Sequence, residues 1–197
     1  QITGLTTGDY VITWQDVGND GSGYGVYGQR YNASGVAQGV QFQIHTATSG
    51  TQYHDNIAAY SSGFTGVWST SSDIYLQRFD NTGTKIGPET LVSTVVGGGT
   101  AQSGSQYVPD AATLGNGSVV IVWTDSGSND GSGNGVYGRI YNPVANTFGS
   151  SFLVNTTTTG NQSNGGNGDY VPTVAALSDG TFVVVWPSDS NDPSGWA

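Results

Sequence analysis

The chain has 197 residues with 32 glycines, and only 9% of its residues are charged while 35% are apolar. Four Lys and Arg against 14 Asp and Glu give a net charge of −10, which argues against partners that need cations, namely nucleic acid and anionic membrane surfaces. No segment approaches the roughly 18 apolar residues of a membrane span, so no membrane insertion is expected. The absence of cysteine excludes disulfides, thiol catalysis and Cys-based zinc sites.

A repeat of about 55 residues organises the chain. Residues 19–28 recur at 129–138 with one change, since Asn134 replaces Tyr24, and a degenerate copy at 73–79 matches residues 25–31. Four tryptophans share the same register, each at the end of a short apolar run, and all four are expected to be largely buried between blades: Trp14, Trp68, Trp123 and Trp186. Long helices are disfavoured, because Gly, Ser, Thr and Asn are abundant throughout.

Each repeat predicts four short strands joined by turns that are rich in Gly and Asn. The first strand carries Ala-Ala pairs and is predicted at residues 57–60, 110–113 and 174–177. The second is predicted at 10–14, 64–68, 119–123 and 182–186. The third is predicted at 26–31, 74–79 and 136–141, and the fourth at 41–44, 90–92 and 152–154.

The second strand indicates the architecture. Residues 119–123 and 182–186 are continuous apolar runs that do not alternate with polar residues, so both faces of the strand are predicted to be buried. Four strands per repeat with a doubly buried inner strand predict an all-β fold, a β-propeller-like array of four-stranded antiparallel blades. A β-solenoid is the alternative.

The predicted blades form a single repeat domain of about three and a half blades. They occupy residues 1–53, 54–108 and 109–171, with a partial blade at 172–197. An incomplete array leaves open sheet edges, so further repeats or another copy of the chain are expected to complete the open blade.

The long connections, between the second and third strands and between successive blades, share one predicted face, where we expect any binding site. Three loops there carry pairs of aspartates that could supply oxygens to calcium. The alternative is that Asp, Asn, Gly and Ser in these loops only form turns. The candidate metal ligands are Asp16, Asp20, Asp125, Asp130, Asp189 and Asp192.

Aromatic residues on the same face are candidates for stacking against a glycan or a cell-surface ligand. Tyr53, Tyr107 and Tyr170 precede equivalent first strands, so they could equally be structural wedges between blades. Tyr24 and Trp196 are the better ligand-binding candidates, because Asn134 occupies their position in another copy.

Residues suited to catalysis are few: His45 and His54 are the only histidines and Glu89 is the only glutamate. No nucleophile motif or phosphate-binding loop occurs. We therefore do not expect an enzyme.

The strings GVYGQRYNASG at 25–35 and VAALSDGTFVVVW at 174–186 resemble repeats of large secreted bacterial RTX-like, haemolysin-type calcium-binding adhesins and surface proteins. The resemblance implies secretion to the extracellular space or the bacterial cell surface, and a non-enzymatic adhesion or surface-structural module. The alternatives are a carbohydrate-binding, lectin-like domain and a self-assembling filament or surface-layer subunit.

Overall fold

The computed structural model describes residues 1–94, 102–163 and 171–189, and every regular element in that part of the chain is a β-strand. The predicted all-β class is therefore confirmed. The strands are β1 Ile2–Gly4, β2 Tyr10–Val17, β3 Tyr24–Tyr31, β4 Ala37–Gln43, β5 Tyr53–Tyr60, β6 Gly63–Ser69, β7 Ile74–Asp80 and β8 Lys85–Leu91. They continue with β9 Gln106–Thr113, β10 Val119–Asp125, β11 Gly135–Asn142, β12 Thr147–Phe148, β13 Phe152–Leu153, β14 Thr173–Ala176 and β15 Phe182–Val185.

The strands form antiparallel sheets in which chain neighbours pair. The first sheet has the order β1-β2-β3-β4 and the second β5-β6-β7-β8. In the third, β9, β10 and β11 are followed by a divided outer edge, since both β12 and β13 pair with β11. The last sheet contains β14 and β15. Two four-stranded blades, a third blade whose fourth strand is divided into β12 and β13, and a two-stranded sheet confirm the predicted propeller-like array.

Strand β1 was not predicted, because residues 2–4 lack the Ala-Ala pair that marks the other first strands. It pairs with β2 from Ile2 opposite Ile12 to Gly4 opposite Tyr10, so the first blade also has four strands.

The prediction that both faces of the second strand are buried is confirmed for residues 119–123 and is wrong for residues 182–186. Every residue of β6 and β10 is buried. In β15 the burial alternates instead, because β15 belongs to the last sheet of the described chain and one of its faces remains open.

The hydrophobic core consists of three clusters, one at each interface between successive blades. Trp68 packs with Val11 and Val26 of the first blade, and Trp123 packs with Ile74 and Leu76 of the second. A third cluster joins the third blade to the two-stranded sheet. Burial of the apolar surface between blades therefore supplies most of the stabilisation, because a single blade has no enclosed core of its own.

Only two of the four repeated tryptophans are fully buried. Trp68 and Trp123 are 1% and 0% exposed, whereas Trp14 and Trp186 are half-buried. The prediction that all four are buried is therefore wrong. Trp68 and Trp123 pack against the preceding blade, and Trp14 belongs to the first blade, where no described blade precedes it.

The four cationic side chains connect blades by donating to backbone carbonyls. Arg30 donates to Asn81 of the next blade, and the equivalent Arg78 donates to Pro143 at 3.0 Å. Lys85 Nζ lies 2.6 Å from the carbonyl oxygen of His45. The remaining cation, Arg139, donates to Val92 at 2.9 Å.

Candidate functional site

A cavity of about 580 Å³ opens where the first strands of the blades converge, and these first strands are the innermost strands of the array. Its wall comes from all four blades, mainly from the beginning of each first strand and from the middle of β2. The lining residues are Gln1, Thr13, Trp14, Gln15, His54, Asp55, Asn56, Val108, Pro109, Asp110, Val171, Pro172 and Thr173.

The strand register makes four of these lining positions equivalent. In each blade one residue of the first strand pairs with the second-strand residue that lies two positions before the repeated tryptophan. These first-strand residues are Ile2, Ile57, Ala111 and Val174. The residues just before them form one ring around the cavity: Gln1, Asn56, Asp110 and Thr173. The repeat therefore places one polar side chain from every blade at the same level of the axis.

A β-bulge shapes this wall in the second and third blades. Between Tyr53 and Asn56 two residues oppose the single residue Trp68 of β6, and the interval from Tyr107 to Asp110 repeats this irregularity against β10. Within the bulges His54 and Val108 have φ values of 53° and 50°, in the left-handed region that β-branched valine rarely adopts. Bulges redirect side chains, and such backbone strain concentrates at functional sites.

Asp55 and Asp110 are the carboxylates of the cavity. Asp55 is buried and accepts a hydrogen bond from the Thr13 hydroxyl of the first blade. Asp110 accepts from the Asn56 amide of the second blade and, at 2.7 Å, from the backbone N–H of Val174 in the last sheet. Each carboxylate thus sits at a junction between blades, with its orientation set by donors from its neighbours.

Burial controls the ionisation of the cavity groups. It raises the pKa of Asp110 above the ordinary value, against the opposing hydrogen bonds from Val174 and Ala111. Burial also lowers the pKa of His54, although the nearby Asp55 favours its charged form. Burial therefore favours the neutral form of both groups, the His54 imidazole and the Asp110 carboxyl.

The described aspartates that were predicted as calcium ligands lie at the ends of β2 and β10 or in the loops, and their oxygens accept bonds from neighbouring N–H groups. Asp16 accepts from Val17 and Asn19. Asp125 accepts from Gln106, Asn129 and the backbone of Gly127, and burial raises its pKa. These contacts are those of closed turns.

The other described loop aspartates are bonded in the same manner. Asp130 accepts from Ser132 and Asn155, and Asp189 accepts from Asn161. Asp192 lies outside the described residues. Within residues 1–94, 102–163 and 171–189, no group of three or more His, Asp or Glu side chains gathers in a way that could hold a metal ion. Calcium binding stays a prediction.

Asp20 differs from its counterpart Asp130 in its partner. Its Oδ2 atom lies 3.7 Å from His45 Nε2, and both side chains are fully buried. At the equivalent place in the third blade Asn155 donates to Asp130 Oδ2 at 2.9 Å. A histidine in the first blade thus takes the place of an amide donor in the third.

The described aromatic residues that were predicted to bind a ligand are not part of the cavity wall. Tyr24 is 48% exposed beside the loop between β2 and β3. The rings of Tyr53 and His54 meet edge to face, and the Tyr107 hydroxyl accepts from Asn134. None of these three lines the cavity. Tyr170 and Trp196 lie outside the described residues.

Sequence reasoning missed Asp55, Asn56 and Asp110 as site residues. The sequence pattern identifies Asp110 only as the first residue of a predicted strand. The sequence does contain a signal for this site. In two successive repeats a polar residue, Asn56 or Asp110, stands at the beginning of a mostly apolar first strand, three residues after the equivalent Tyr53 or Tyr107.

Comparison with known proteins identifies similar structures but no sequence family. No family model and no curated protein matches the chain. Solved structures similar to it include an endo-arabinase from Bacteroides thetaiotaomicron, with a TM-score of 0.56 at 13% identity over 99% of this chain and 70% of that one. An α-L-arabinofuranosidase from Lactobacillus brevis gives 0.52 at 12% identity over 94% and 65%. The NanB sialidase from Streptococcus pneumoniae gives 0.59 at 9% over 99% and 28%.

These likenesses support the propeller fold, and the chain spans less than two thirds of the arabinofuranosidase and of the sialidase. They also correct two predictions. The neighbours are glycoside hydrolases, which contradicts the predicted non-enzymatic adhesion or surface-structural module and the prediction that the protein is not an enzyme. The RTX-like resemblance and secretion stay predictions. The part of the chain that the structure describes contains no helix able to cross a membrane.

Proposed function

We propose that this domain binds carbohydrate in the cavity at the convergence of its innermost strands. The observation that carries the proposal is the ring of Gln1, Asn56, Asp110 and Thr173, which brings one polar group from each blade to a cavity of about 580 Å³. Sugar sites combine a concave surface with a few placed polar groups, and this volume falls within the usual range for small-molecule pockets.

The polar groups of the wall suit sugar hydroxyls, which both donate and accept hydrogen bonds. Asp55 and Asp110 supply acceptors, and the side chains of Gln1 and Asn56 supply donors as well as acceptors. Half-buried Trp14 adds an indole to the same wall. An indole face beside carboxylates and amides provides both the stacking and the directional contacts that a sugar ring uses.

Glycosidic bond hydrolysis is the second candidate function, and the pair Asp55 and Asp110 favours it. Such hydrolysis requires a protonated acid and an ionised carboxylate on either side of the bond. Burial raises the pKa of Asp110, so Asp110 is assigned the proton-donating role. Asp55 is assigned the role of the carboxylate that assists the attack, and the Thr13 hydroxyl that donates to it fixes its orientation.

Titration calorimetry against neutral oligosaccharides, including arabino-oligosaccharides, tests the binding proposal. Asp55→Asn and Asp110→Asn are each expected to weaken binding by at least 10-fold, because each replaces a carboxyl oxygen of the wall with an amide NH₂ group that cannot accept a hydrogen bond. Asp179→Asn is the matched control, since it makes the same charge change in an exposed turn. Equal affinity in all four proteins would contradict the assignment of the cavity.

Release of reducing sugar from the bound oligosaccharide tests hydrolysis. The unmodified domain is expected to cleave it, and Asp110→Asn is expected to lower the rate at least 100-fold. Binding without any cleavage would leave a carbohydrate-binding domain and remove the second candidate.

We also propose that a further repeat or another copy of the chain covers the last sheet. Val183 and Val185 on β15 are 43% and 66% exposed, whereas the equivalent strands β6 and β10 are completely buried. Sedimentation of the domain tests the second of these. A dimer at high concentration that Val185→Asp dissociates would support another copy, and a monomer throughout would contradict it.

A further inference from the structure

We infer that the cavity selects uncharged glycans and rejects sugars that carry a carboxylate or a phosphate. This inference rests on the proposed function and specifies the class of ligand. It follows from where the chain places its few cations. None of the four Lys and Arg residues, all of which lie in the described part of the chain, contributes to the cavity wall.

Each of these cations is held at a distance from the wall by a structural contact. Arg30 and Arg78 donate to carbonyls in the turns of the next blade. Lys85 donates to His45 and Thr46 of the preceding blade. Arg139 donates to Val92 and lies 4.5 Å from the ring centroid of Phe148. Movement of any of them toward the cavity would break a contact between or within blades.

Apart from the Gln1 amino group, the charged groups that remain at the wall are acidic. Asp55 and Asp110 face a ligand there, and the backbone strain at His54 and Val108 lies in the same segment of wall. The Gln1 amino group donates to the Thr13 carbonyl at 2.8 Å. An anionic sugar would therefore meet two carboxyl groups and no cationic side chain, whereas a neutral sugar can use the same oxygens as acceptors.

Binding of matched oligosaccharides measures this selectivity. Galacto-oligosaccharides are compared with galacturonic acid oligomers of the same length, together with neutral arabino-oligosaccharides and sialylated oligosaccharides. At low salt the neutral sugars are expected to bind about 10-fold more tightly than the anionic ones, since a like-charge contact with the wall weakens affinity by about that factor. Because salt screens such repulsion, the ratio is expected to fall at high ionic strength.

One substitution should reverse the preference. Thr173→Lys puts a cation on the ring and is expected to narrow the neutral-to-anionic ratio by more than 10-fold. Thr48→Lys, an exposed position away from the wall, is the control and should leave the ratio unchanged. A chain acetylated at Gln1 checks that the amino-terminal charge does not set the result.

The outcomes separate this inference from the proposed function. Tight binding of neutral sugars, weak binding of anionic ones and a shifted ratio in Thr173→Lys support the inference. Anionic sugars that bind as tightly as neutral ones overturn it while carbohydrate binding stands. If no sugar of either class binds, the proposed function fails, and the selectivity fails with it.

Discussion

Removal of the Trp123 indole measures how much of the stability resides between blades. Trp123 is 0% exposed and packs against Val67, Ile74 and Leu76 of the preceding blade. Its indole N–H has no hydrogen-bond partner among the described residues, so its contribution comes from packing alone. Trp123→Ala should therefore lower the free energy of unfolding by about 3–5 kcal/mol, as expected for a buried aromatic side chain.

Urea unfolding followed by far-UV circular dichroism provides the assay. With a slope of about 2 kcal/mol per molar urea, the midpoint should fall by roughly 2 M in Trp123→Ala. Trp14→Ala is the matched control, because Trp14 occupies the same repeat position but is only half-buried, and its midpoint should fall by less than about 0.5 M. Equal losses in the two variants, or a change below about 1 kcal/mol in Trp123→Ala, would refute the view that the blade interface holds the fold together.

Three further predictions concern other interactions of the fold. Burial lowers the pKa of His45, so the unfolded chain takes up a proton first as pH falls below about 6.5 and the folded state loses stability. His45→Asn, which copies Asn155, should therefore make the melting temperature less dependent on pH between 7.5 and 5.5. An unchanged pH dependence would contradict this role of His45. A methyl group at Gly66 would lie 2.7 Å from Ile44 Cγ2 across the first blade interface, so Gly66→Ala should lower the free energy of unfolding in urea by about 1–3 kcal/mol. If this clash is the cause, Ile44→Val in the double variant should recover part of the loss. If the loops bind calcium, the melting temperature at matched ionic strength should rise in millimolar calcium and fall with chelator. Asp20→Ala combined with Asp130→Ala should remove the difference between the calcium and chelator melting temperatures, and coincident melting curves of the unmodified protein would contradict calcium binding.

The sequence by itself determined the repeat, the strand class and the position of the inner strands. These properties are periodic and local: the Trp-terminated apolar runs identify β6 and β10, and the Ala-Ala pairs identify β5, β9 and β14. Strand β1 is not predicted, because it has neither the Trp-terminated apolar run nor the Ala-Ala pair. The fourth strands are predicted too short, because their residues are mostly polar. Local pattern therefore predicts an element only where burial makes its residues uniform.

The tertiary structure alone decided which residues meet at the cavity. Gln1, Asn56, Asp110 and Thr173 lie about 55 residues apart along the chain, and the rotation between successive blades brings them into one ring. A single extra residue in a bulge also changes which face a side chain takes, because strand side chains alternate with a period of two. The same dependence on long-range packing leaves Trp14 half-buried while Trp68 and Trp123 are covered, since burial at that position requires a preceding blade.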